Sequence, residues 1–133
     1  MAVQPYGNGE FPGVEVTTYK DEPGTWVGVT RRVLADASTS GFETRFFDLA
    51  PGGYTSYERH GHEHVVVLKG SGTVRLGGSV HRITTGDVVH TAPHEPHQFL
   101  ADQGEALGIV CTVDRHRDRP VLLGNDGEPR TSE

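Results

Sequence analysis

From residue 14 to residue 113 the chain runs in short, β-prone apolar stretches separated by Gly, Pro and Asp, and no ten-residue window holds a 3.6-residue apolar period. The pattern predicts strands at residues 14–19, 26–34, 43–49, 54–60, 64–69, 73–76, 79–83, 87–91, 97–101 and 106–113. Between them stand Pro-Gly-Gly, Lys-Gly-Ser-Gly, Gly-Gly, Thr-Gly-Asp and Pro-His-Glu-Pro, all sound turn chemistry. Many short strands joined by tight turns predict an all-β, antiparallel sandwich or barrel. Residues 1–13 and 115–133 are polar and turn-rich, so they are expected to be an N-terminal arm and a C-terminal tail around a barrel of residues 14–114. Val121, Leu122 and Leu123 are the exception in the tail, an apolar anchor for the domain or for a partner.

One stretch breaks the plain alternation. In "ERHGHEHVVVLKG", residues 58–70, His60, His62 and His64 recur at every second position and run straight into an apolar strand. Side chains two apart on a strand share a face with Cα atoms ~6.6 Å apart, so two imidazoles can meet one ion at ~2.1 Å. The outer pair of three would be ~13 Å apart on a straight strand. If the cluster is a site, the chain must bend within it, and Gly61 is the place for the bend. One strand would then supply Glu58 and His60, and His64 would open the next. A second stretch, "GDVVHTAPHEPHQF" at residues 86–99, offers His97 from across the barrel; of His90 and Thr91, one must face inward.

Composition narrows the partners. The length of 133 residues suits one domain with a core that needs no disulfide. A net charge of −6 without any basic stripe argues against nucleic acid and anionic membrane. No apolar run is long enough for a membrane span and the first residues lack a signal-peptide core, which with the single Cys111 leads us to expect a cytoplasmic protein. Cys111, flanked by Ile109, Val110 and Val113, reads as an inert core thiol.

Taken in order, the two stretches resemble the motifs of the cupin superfamily. The first motif is matched by Pro51-Gly52-Gly53, the histidine cluster and Val67-Leu68-Lys69-Gly70; the second by Gly86-Asp87, Pro93 and His97. The resemblance covers roughly residues 26–114 and implies a jelly-roll barrel. Laid on the pattern of small cupins, Glu58, His60, His64 and His97 fall on the four ligand positions of one divalent transition metal, and His62 falls on a non-ligand place. A shifted bulge would instead pair His60 with His62, making His62 the alternative to Glu58. Two departures stand out: Glu58 replaces the usual histidine, and the run from His64 to Gly70 is one residue shorter than usual.

Three imidazoles and a carboxylate suit Fe, Mn, Ni, Zn or Cu, and four protein ligands leave positions open for water or substrate. The resemblance therefore implies a metal-dependent enzyme acting on a small organic substrate, by dioxygenase-like cleavage or by cyclisation or isomerisation. The alternative is a barrel that binds a metal or small ligand without turnover. Phe47, Tyr54, Tyr57, Phe99 and Trp26 are candidate pocket walls, although aromatic residues on strands are more often core. Small cupins commonly pair, so a homodimer is expected, joined through the edge strand at residues 14–19.

Overall fold

Two long strands carry the architecture. The computed structural model describes residues 3–20, 26–36, 38, 40–114 and 120–130, and among these it shows strands, turns and no helix. In chain order the strands are β1 (Thr17–Thr18), β2 (Val27–Ala35), β3 (Phe42–Tyr54), β4 (Glu58–Arg59), β5 (Glu63–Leu76), β6 (Ser79–Thr84), β7 (Val88–Thr91), β8 (His97–Ala101), β9 (Leu107–Asp114) and β10 (Val121–Leu122). All pairings are antiparallel, in the order β1-β2-β3-β9-β5-β8-β4-β10, with β6 and β7 also on β5 and the end of β3 on β8. The first half of β5 pairs with β7 and β9, and its second half with β6 and β8. β5 thus turns from one wall to the other and closes the barrel.

The sequence pattern predicts two strands, 64–69 and 73–76, with Lys-Gly-Ser-Gly as the turn between them, whereas the structure has the single strand β5. Here that segment is a corner inside one strand. Gly70 has φ +79°, and a Cβ at Gly70 or Gly72 would collide with the carbonyl oxygen of Ala106 or Leu100 respectively. Two backbones approach too closely there for any side chain. β3 likewise continues through Pro51-Gly52-Gly53 to Tyr54 rather than stopping at residue 49.

Phe47, Leu49, Val65, Val67, Val74, Phe99, Leu107, Ile109 and Cys111 fill the interior. Phe46, on the opposite face of β3, is fully buried as well. It is covered by Phe11, edge-on at a ring distance of 5.0 Å, and Glu10 and Gly9 are held by Arg32 and Lys69. The described part of the N-terminal arm therefore lies across the outer wall. The apolar anchor near the other end is used within the chain: β10 pairs with β4, and Leu123 is 2% exposed.

On the surface, Arg82 of β6 and Ser71 of β5 both donate to Asp102 in the β8–β9 turn, and they lower its pKa to about 2. A depressed carboxylate pKa stabilises the fold above the ordinary value and stops doing so as pH falls through the folded one. The urea midpoint of wild type should therefore exceed that of Asp102→Asn at pH 6, and the gap should shrink as pH falls from about 5 toward the folded pKa of about 2. A gap of the same size at pH 6 and pH 2 would show that the ion pair is not its source.

Candidate metal centre

Glu58 and His97 sit directly opposite each other on β4 and β8, a register that puts their side chains on one face, pointing into the barrel. His60, two residues beyond Glu58, returns to that face as the chain bends toward β5. All three are buried, and each offers a ligand atom within 4.8 Å of the other two.

The imidazole orientations explain what the site is suited to hold. Nδ1 of His60 lies 2.9 Å from the Gly61 carbonyl oxygen, and Nδ1 of His97 lies 2.9 Å from that of Glu95. A carbonyl can only accept, so each Nδ1 carries its proton and donates it. The two Nε2 atoms then confront each other at 3.1 Å. With Nδ1 donating in both rings, a proton on one Nε2 bridges the pair as a hydrogen bond, and with both Nε2 atoms deprotonated the two lone pairs are free to take a metal ion instead. A transition-metal ion with Nε2 ligands at ~2.1 Å suits adjacent coordination positions at this separation. The backbone carbonyls fix both rings in the orientation a metal requires.

The carboxylates complete the donor set. Oε2 of Glu58 accepts from Ser56 at 2.7 Å and pairs with Lys20 at 3.1 Å, which leaves Oε1 facing His60 Nε2 at 3.8 Å. Since the Ser56 hydroxyl gives its proton to Glu58, Tyr19 is the donor in its 3.0 Å contact with Ser56. The buried Tyr19 keeps that proton, because burial first and the Glu58 charge second push its pKa well up. Glu63 is the second interior carboxylate, with Oε2 3.3 Å from His60 Nε2 and 3.6 Å from Arg45. Burial alone would raise the Glu63 pKa, yet the His60 hydrogen bond and the charges of His97, His60 and Arg45 outweigh it and keep the group below its ordinary range. His60 moves the other way: burial lowers its pKa, but Glu63, Glu58 and the Gly61 carbonyl more than offset that.

The structure does not bring His64 to this cluster. β5 starts at Glu63 and alternates from there, with Glu63, Val65 and Val67 inward and His64 and Val66 outward. His62 is also on the outside, 3.3 Å from His90. Glu63, read from the sequence as a turn residue, takes the inner place instead. The signal for it was present: the one-residue deficit between His64 and Gly70 disappears when the third position is moved to Glu63. Of the second pair, Thr91 is the buried member and His90 is exposed.

The centre lies in a cavity of about 240 Å³. Phe47 and Phe99 line it, together with Tyr19, which the sequence did not single out. Tyr57 instead carries Arg75 over its ring, 3.9 Å from the centroid. Three cations, Lys20, Arg31 and Arg45, also line the cavity. Arg45 is buried over the Phe47 ring, and its Nε has no hydrogen-bond partner. The Cys111 thiol is in the wall too, but burial and the Glu63 charge raise its pKa well above normal, so it stays protonated.

Comparison with known proteins agrees with this geometry. The cupin-domain family matches residues 45–113. The chain is 40% identical over 114 residues to a 1-methylthio-D-xylulose 5-phosphate methylsulfurylase of Rhodospirillum rubrum, covering 84% of this chain and 73% of that protein. A cupin-2 domain crystal structure from the same organism superposes with TM-score 0.81 at 36% identity, covering 96% of this chain and 85% of that one. The polyketide cyclase RemF of Streptomyces resistomycificus superposes with TM-score 0.74 at 26% identity, covering 86% and 84% respectively. With a helix-free closed barrel, an inward-facing histidine pair and a family match through both motifs, this chain belongs to the cupin family.

Proposed function

We propose that this cupin is a metal-dependent enzyme that rearranges or cleaves a small anionic carbonyl compound, of the sugar-phosphate class, with Glu58, His60, His97 and Glu63 holding the metal. The observation that carries the reading is the pair of Nε2 atoms facing each other at 3.1 Å beside two buried carboxylates. Two imidazoles and two carboxylates match the borderline donors that Fe, Mn, Ni and Zn accept. When bound, such a metal supplies Lewis-acid activation of a carbonyl or enolate oxygen.

The chain's own residues supply the rest. A cavity of about 240 Å³ falls below the ~300–1,000 Å³ typical of drug-sized ligands, which points to a small substrate. Arg31, Arg45 and Lys20 place positive charge around it, and the unpartnered Nε of Arg45 offers a ready donor to an anionic group. Phe47, Phe99 and Ile109 exclude water from the metal side and strengthen the charge interactions there. Tyr19, through Ser56, holds Glu58 with one oxygen turned toward the histidines.

Two relatives more than a quarter identical carry names of activities, a methylsulfurylase acting on a ketose phosphate derivative and a polyketide cyclase. Both favour carbonyl rearrangement or cleavage over oxygen-dependent ring opening. The deciding experiment offers metal-loaded protein 1-methylthio-D-xylulose 5-phosphate, other ketose phosphates and polyketide-like diketones, with and without oxygen, and follows products by NMR. Oxygen-independent turnover of a phosphorylated ketose supports the proposal. Turnover that consumes oxygen establishes the dioxygenase reading instead, and spectral shifts without turnover establish a non-catalytic binder.

Arg31→Gln should raise KM for a phosphorylated substrate about tenfold while leaving an uncharged analogue unaffected, since a charge-assisted hydrogen bond contributes about 1.5 kcal/mol or more. An equal effect on both substrates would mean that Arg31 acts through folding and not through the anion.

A further inference from the structure

The histidines left out of the interior are gathered on the other side of the same strand. His64 is paired directly with His90 across β5 and β7, and their rings meet edge-on with centroids 4.8 Å apart. His62, at the bend before β5, stacks on His90 with centroids 5.5 Å apart and planes 13° from parallel. His62 Nδ1 and His90 Nε2 lie 3.3 Å apart. All three side chains are exposed. Since successive strand side chains point to opposite faces, Glu63 reaches inward between two histidines that reach outward. The five residues from His60 to His64 therefore serve both sides of the wall.

We propose that His62, His64 and His90 form a second transition-metal site on the outer wall, separate from the interior centre. Two ring nitrogens at 3.3 Å suit a single ion with Nε2 or Nδ1 ligands at ~2.1 Å, once neither nitrogen carries a proton. His64, directly across the ladder from His90 with its ring edge-on at 4.8 Å, supplies the third imidazole once its side chain turns toward the other two. Imidazole donors with no carboxylate among them favour Cu²⁺, Ni²⁺ and Zn²⁺ over Mg²⁺, Ca²⁺ or Mn²⁺. The exposed setting leaves the remaining coordination positions to water, so the site takes up and releases its ion more readily than the buried centre does. β7 and the first half of β5 form a rigid, hydrogen-bonded base under two of the three rings.

The test is zinc stoichiometry and affinity by equilibrium dialysis of chelator-stripped protein. Wild type should bind one more zinc ion per chain than His62→Ala/His90→Ala, and His64→Ala should weaken uptake of that ion by about tenfold or more. A His60→Ala/His97→Ala chain should still bind the outer ion, which separates this site from the interior one. In isotope-labelled wild type, the side-chain NMR signals of His62, His64 and His90 should move together as zinc is added. Equal zinc uptake by wild type and the His62→Ala/His90→Ala chain overturns the proposal, as does zinc uptake that leaves those three sets of signals unmoved.

Discussion

Alanine at His97 is expected to yield a folded barrel whose grip on the interior metal has fallen by about a hundredfold or more, since even loss of a group that only orients a ligand costs 10–100-fold. The fold should survive because β8 keeps its backbone ladder to β4 and β5 at this residue whatever the side chain. The affinity should not, because one of the two facing imidazoles is gone and only His60 and the two carboxylates are left as donors. Melting with and without metal reads both effects in one experiment. At a metal concentration 1,000 times Kd, wild type gains about 4.1 kcal/mol of stability from binding. A hundredfold loss of affinity at the same concentration cuts that gain to about 1.4 kcal/mol. The metal-free melting temperature of His97→Ala should fall only modestly, since the variant loses the side-chain bonds to His60 and Glu95 but keeps the β8 ladder. A large metal-free loss with an unchanged metal gain would mean that His97 is a packing residue.

The second large effect is expected far from the metal. Gly70→Ala should destabilise the barrel by about 4 kcal/mol or more, in the range reserved for backbone strain and severe steric conflict. Gly70 sits at φ +79°, where any other residue pays about 1–2 kcal/mol. Its new Cβ would also collide with the Ala106 carbonyl oxygen, which belongs to backbone and cannot rotate away. Relief requires moving β5 away from β9, and those two strands hold Val65, Val67, Leu107 and Ile109 in the core. Against a total stability of about 5–15 kcal/mol for an ordinary domain, the variant would be marginal at best. Urea unfolding checks this, and a loss under about 1 kcal/mol would contradict the corner geometry.

Much of the strand plan was legible because apolar residues at every second position leave few alternatives on a strand such as β9, with Leu107, Ile109, Cys111 and Val113. The corners were not. Glycine between two apolar runs reads equally as a turn or as a close approach of backbones, and only the neighbouring strand decides which. The inward face of β5 was hidden for a related reason. Val65, Val66, Val67 and Leu68 give no alternation, so the sequence could not say that Val66 is 41% exposed while Val65 is fully buried. That ambiguity carried His64 inward in the sequence reading and left Glu63 in the turn. His60 and His97 hold their places in either register of the histidine stretch, whereas Glu58 competes with His62 for one place in the sequence, and the structure puts Glu58 beside His97 and His62 outside. Tyr19, Lys20 and Arg45 were missed because each acts only through contacts with residues distant in the chain. Phe11 gave no sign of being buried, since its partner Phe46 lies on a β3 face that alternation alone would have left to solvent.

The proposed interior metal rests on four ligands, Glu58, His60, His97 and Glu63. Its most direct test is an anomalous-scattering map from crystals of the metal-loaded His62→Ala/His90→Ala protein, in which the outer wall is disabled. The predicted result is a peak inside the barrel within about 2.3 Å of both Nε2 atoms of His60 and His97, with carboxylate oxygens completing the set. A peak ligated by His64, or a fully metal-loaded protein with no peak between His60 and His97, would contradict it.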